Sequence, residues 1–243
     1  MKSLESSAPF ATLFLGGLFA ALLLPFPGFH LDALAHGMAG KDAEFVANSM
    51  GRQILPFFYL GAKHMATGYD HLLFVIGTVF FLYQLKHVAI YVTTFSLGHS
   101  TTLLLGVLGG FHVNPYLVDA MIGLSVAYIA FDNLGGFRTL LGFQPNTKLA
   151  ILIFGLVHGF GLATKVQELN PSRDGLIANI ISFNVGVEIG QLLVLSAALA
   201  LIIWWRKTSR FTKHAVFANA VIMMLGFALM EYQLAGYFVN GAA

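Results

Sequence analysis

The sequence predicts an all-α, polytopic transmembrane helix bundle with seven hydrophobic spans, or six if the first is a cleaved signal peptide. Two observations carry this. Apolar residues make up 57% of the 243 residues and charged residues only 10%, too little charge to cover a water-facing surface. The apolar residues also gather into runs near the roughly 20 residues that a helix needs to cross hydrocarbon. Lipid is therefore the expected surrounding. The net charge of +2 is small and the basic residues are dispersed, so nucleic-acid binding has no electrostatic footprint. Without cysteine, thiolate metal sites and thiol nucleophiles are excluded, leaving His, carboxylate, Met or backbone oxygen as metal donors.

Residues 1–35 contain the first apolar run, Phe10–Phe26, behind Lys2. The small-x-small pattern Ala33-Leu34-Ala35 after the Pro25–Pro27 break fits signal-peptide cleavage. The absence of charge from Glu5 to Asp32 fits a retained first transmembrane helix equally well. Residues 36–66 scatter Lys41, Asp42, Glu44, Arg52 and Lys63 among apolar residues, the pattern of an external amphipathic segment at the interface. Residues 67–243 then form a six-helix transmembrane domain with spans Thr67–Leu85, Val88–Gly109, Pro115–Leu134, Leu149–Val166, Leu176–Trp205 and Ala215–Val239. The fifth of these exceeds the needed length and should tilt or project. Arg206, Lys207, Arg210 and Lys213 mark the last loop as cytoplasmic, with Trp204 and Trp205 as interface anchors, and alternation puts the C-terminus outside.

Ionisable groups within spans are costly and so are the first candidates for function. His64-Met-Ala-Thr-Gly-Tyr-Asp70-His71 places two imidazoles and a carboxylate within eight residues, a donor set for a divalent transition metal. Asp70 could instead orient an imidazole, and the blander alternative is a pair of interfacial histidines with Asp70 capping a helix. Gly68 is positioned to break that helix. Two further histidines share the pattern Phe-x-Leu-x-His-small, Phe95 to Ser100 and Phe154 to Gly159, on helices expected to run in the same direction. Each is followed by a returning helix with a buried acid: Asp132 beside Asn133, and Glu188 near Asn184 and Gln191. This looks like a weak parallel repeat, which would set His99, His158 and Glu188 at similar depth in a shared polar cavity. The alternative for each histidine is a packed imidazole bonded to a backbone carbonyl or a Ser/Thr hydroxyl. The remaining histidines fall in loops or at interfaces.

The chain resembles the HupE/UreJ family of hydrogenase and urease accessory membrane proteins over roughly Gly61 to Glu231. The resemblance rests on His64-x5-Asp70-His71, Phe95-Ser-Leu-Gly-His99-Ser100-Thr-Thr-Leu103, Asp132-Asn133, Phe154-Gly-Leu-Val-His158-Gly159-Phe-Gly161 and Phe183-Asn184-Val-Gly-Val-Glu188-Ile-Gly190-Gln191. It implies a bacterial inner-membrane nickel permease without enzymatic activity, with the first His/Asp motif engaged in transport. One branch carries a second motif, Phe-His-Gly-x-x-His-Gly-x-Glu. Here Phe154 and Gly161 replace its first His and its Glu, which implies a divergent branch.

Together these readings predict a path. His64, Asp70 and His71 capture the ion near the outer face, and His99, His158 and Glu188 hold it at mid-membrane. Asp132 and Asn133 guide release inward, with Ser100, Asn184 and Gln191 as path or supporting groups. The alternative class is a subunit or assembly partner in a larger membrane complex or homo-oligomer, with His99 or His158 ligating haem or (bacterio)chlorophyll beside a small glycine. A visible spectrum separates the two.

Overall fold

The computed structural model describes residues 40–80 and 84–240, except for the side chains of residues 69, 70 and 240. These residues form α1 (Lys41–Asn48), α2 (Ile54–Thr67), α3 (Tyr69–Val79), α4 (Leu85–Gly109), α5 (Pro115–Asn133), α6 (Thr147–Glu168), α7 (Leu176–Arg206) and α8 (Phe211–Asn240), with a π-helical turn at Phe137–Leu141. The fold is all-α. Five helices, α4 to α8, are long and apolar enough to cross a membrane, which implies a lipid bilayer around them.

Local chemistry sets the ends of these helices. Asn114 accepts from the backbone N–H of Tyr116 at 3.0 Å, with Pro115 in the first turn of α5. Asn146 does the same for Lys148 and Leu149 at the start of α6. Gly110, at φ 67°, ends α4 in the left-handed conformation that an L side chain would resist.

Among the described residues five helices, not six, have crossing length. Phe10–Phe26 and the Ala33–Ala35 pattern lie outside the described residues. The expected span Thr67–Leu85 is replaced by two helices, of 14 and 11 residues, that meet at Gly68. Gly68 adopts φ −73° and ψ 104°, extended at ψ, so the chain turns there and neither helix alone has crossing length. Of the stretch 36–66, residues 41–48 form α1, and 54–67 form α2 with Phe57, Leu60, His64 and Met65 buried. Lys63, one of the charges of the expected external segment, forms an ion pair with Asp42 of α1 at 2.7 Å.

Backbone-to-backbone contact sets the registers. Beside α7, the α2–α3 pair runs in the same direction. Contacts step from Gln53 N–H on Asn179 Oδ1 at 2.6 Å, through Phe58 against Gly186, to the Arg206 guanidinium on the Phe80 carbonyl. The interrupted pair thus runs almost the length of α7. Helices α4 and α6 are also parallel: Gly155 lies on the Phe95 carbonyl, Gly159 on the His99 carbonyl, and Gly106 on Ala163. Thr102 Oγ1 donates across this contact to the Leu156 carbonyl at 2.7 Å. Any Cβ at position 155 or 159 would occupy space already held by α4 backbone, so only glycine permits the approach. Helices α5 and α8 pack antiparallel, Gly123 against Gly226 and Tyr116 against Gly236.

Candidate metal site

His64 lies in the last turn of α2 and His71 in the first turn of α3. In an unbroken helix, seven residues of rise would separate them by about 10 Å. Across the break at Gly68 their ring centroids are 4.8 Å apart. His99 comes from the middle of α4 and is fully buried; His158 comes from the middle of α6 and is 1% exposed. The close contact of α4 with α6 places these two motifs side by side, and α3 lays His71 over both.

His64, His71 and His99 each offer a ring nitrogen such that the three atoms lie within 4.8 Å of one another. Among the described residues this is the only group of three or more His or acid side chains so placed. His158 is the fourth member of the cluster by contact, with its ring 4.9 Å from that of His71. Aromatic rings wall the cluster: Phe95 at 5.1 Å from His158, Phe74 at 5.5 Å from His158 and Phe183 at 5.7 Å from His64. An apolar wall lowers the local dielectric and strengthens electrostatic interactions made inside it.

Outside the rings, the donors are oriented. His158 Nδ1 donates to the Phe154 carbonyl at 2.7 Å. His99 Nδ1 lies 3.3 Å from Asn184 Oδ1, and Asn184 Nδ2 donates to the Ile180 carbonyl at 3.1 Å. His99 Nε2 is buried without a hydrogen-bond partner. A buried nitrogen in that state is costly unless something else takes its lone pair.

The two groups that the sequence set at different depths, His64 with His71 and His99 with His158, are therefore one cluster. Asp70 lies between His64 and His71 in sequence, but its side chain is outside the described residues. Glu188 is not brought into the group. It is half-buried on the flank between α4 and α7, where it accepts from Thr93 Oγ1 at 3.3 Å. Ser100 is half-buried on α4 beside His99. Gln191 Oε1 accepts from Ser96 at 3.3 Å in the buried seam of the same two helices. Asp132 accepts from Gln144 at 2.5 Å and from Thr147 at 3.5 Å at the end of α5, away from the histidines. Asn133 Nδ2 donates to the Gly77 carbonyl at 2.8 Å and to Asn219 Oδ1 at 2.9 Å, tying α5 to α3 and α8. Ser96, Thr102 and Asn219 were not singled out in the sequence. Ser96 could have been, because it lies one turn from His99 on α4. The space beside Gly159, which could have suited a flat macrocycle, is filled by the backbone of α4.

A model of the family described as HupE / UreJ protein matches residues 40–241. The chain belongs to the HupE/UreJ family. The match covers all the described helices, so the histidine cluster lies wholly within the HupE/UreJ region. This family is associated with nickel uptake, and its members are regarded as permeases rather than enzymes. No curated protein and no solved structure gives a match.

Proposed function

We propose that this HupE/UreJ protein carries a divalent transition metal, nickel by family, across a bacterial inner membrane, and that the buried histidine cluster is its binding site. The single observation that supports this most is the convergence of His64, His71 and His99 within 4.8 Å from three separate helices. Side chains gathered at that density and depth suit an ion better than they suit packing, because neutral imidazole nitrogens are good donors to nickel, cobalt, copper and zinc. His158 completes a four-imidazole set. The sequence motif also contains the carboxylate of Asp70, and a negative charge of that kind would offset part of the cation's charge in a medium where uncompensated charge is expensive.

The interruption at Gly68 supports transport over a static role. Discontinuous helices that run beside a continuous one are a recurrent way to place an ion site near the middle of a membrane. Here α2 and α3 flank the cluster, and the run of helical hydrogen bonds is interrupted between them. The ion enters from the side where α2 begins and leaves toward the basic run after α7, which the charge bias places in the cytoplasm. The macrocycle alternative lacks a slot beside Gly159, where α4 already sits.

The test is nickel uptake into liposomes containing the purified full-length protein, paired with equilibrium nickel binding in detergent. Both should be present in the wild type and strongly reduced in His71→Ala. Uptake that survives this substitution unchanged would exclude the cluster as the transport site.

A further inference from the structure

The contact between His99 and Asn184 decides which ring nitrogen of His99 is available. Asn184 Nδ2 donates to the Ile180 carbonyl at 3.1 Å, and a carbonyl oxygen can only accept, so the amide oxygen is the atom turned toward His99. That oxygen also can only accept. His99 Nδ1, 3.3 Å away, must therefore carry the proton, which leaves the lone pair of the neutral ring on Nε2. Nε2 is the nitrogen of His99 that is buried without a hydrogen-bond partner.

The chemistry of the partner is equally informative. A ligating histidine held by a carboxylate becomes more basic and gains a negative charge nearby, and both tighten the grip on a cation. Here the partner has the shape of aspartate but no charge. His158 Nδ1 is likewise held by a neutral group, the Phe154 carbonyl. Glu188, one turn further along α7, is turned to Thr93 on the flank rather than to the rings. A site that passes ions on must bind strongly enough to admit the ion and weakly enough to release it.

We propose that Asn184 is a positioning residue that holds His99 with its proton on Nδ1 and its Nε2 lone pair toward the metal, and that its neutrality keeps the site weak enough for release. This rests on the histidine cluster being the metal site. Replacing Asn184 with Asp preserves shape and adds charge, whereas replacing it with Leu removes the acceptor.

The experiment measures Ni²⁺ affinity of the purified full-length protein in detergent and Ni²⁺ flux into liposomes. Nitrogen-15 spectra of histidine-labelled, metal-free protein are recorded alongside, with His99 assigned by its loss in His99→Gln. Asn184→Asp should bind Ni²⁺ about 10-fold or more tighter, with slower flux. Asn184→Leu should bind about 10- to 100-fold weaker. His99 in the wild type should show a protonated Nδ1 and a bare Nε2. A purely structural role would weaken binding in both variants, so effects of the same sign overturn the proposal, as does a proton on Nε2 in the wild type. If Asn184→Asp fails to fold, the tautomer measured in the wild type and the Asn184→Leu affinity still decide. His99→Ala separates the two readings. If it binds Ni²⁺ like the wild type, the histidine site itself fails and this inference with it. If it binds weakly while Asn184→Asp matches the wild type, only the role of Asn184 fails.

Discussion

The rings of His64 and His71 lie 4.8 Å apart although they belong to different helices. Gly68 makes this contact, ending α2 and starting α3 with its own N–H on the His64 carbonyl at 2.9 Å and its carbonyl accepting from Leu72 at 2.9 Å. Its φ and ψ are open to any residue, so what glycine supplies here is a low preference for remaining helical.

Gly68→Ala should therefore weaken metal binding without unfolding the protein. Alanine favours the continuous helix by about 1 kcal/mol over glycine, which corresponds to about a fivefold loss of apparent affinity if the continuous form separates the two rings. Isothermal titration with nickel measures this. Unchanged affinity would mean that tertiary packing, not Gly68, maintains the break.

The His71 ring meets those of His64, His99 and His158. His71→Ala should reduce nickel binding by about 10-fold or more, the scale for losing a group at a metal site. His112→Ala should not, because His112 is exposed and bonds only its local Gly110 carbonyl. Equal losses in both would point to general destabilisation.

Gly159→Ala should lower thermal stability and nickel affinity together. The added methyl meets the His99 carbonyl and Thr102, and overpacking of this kind costs about 1 to 3 kcal/mol. Since α4 must shift to make room, His99 moves with it. A melting temperature equal to that of wild type would show that α4 and α6 are less tightly held than their contact implies.

Glu188→Gln should leave equilibrium nickel affinity within about twofold of wild type, as expected for a residue that shares no partner with the binding group. This departs from the sequence expectation, which grouped Glu188 with His99 and His158. A loss of 10-fold or more would return the carboxylate to the site.

A reporter placed after Arg210 should be cytoplasmic and one placed after Asn170 external, because α7 crosses between them and the basic run after it dominates orientation. Finding both on one side would contradict α7 as a span.

Composition and local spacing alone determined that the protein lives in a membrane, where the five long helices lie, and which histidines and acids stand out. Those features are local, since charge content and run length need no knowledge of neighbours. Tertiary structure decided which of the residues meet. Helices that are apolar all round have no face that announces its partner. It was the glycine contacts of α4 with α6 that put His99 beside His158, and the Gly68 break that brought His64 and His71 to them. Lys63 read as one more charge of an external segment, whereas its partner Asp42 lies 21 residues away in another helix. The sequence set Glu188 and His99 at similar depth, yet Glu188 meets Thr93, well before His99 on α4, and His99 meets Asn184. Depth follows from position along a helix, but direction follows from how the helix is rotated against its neighbours, which only packing sets.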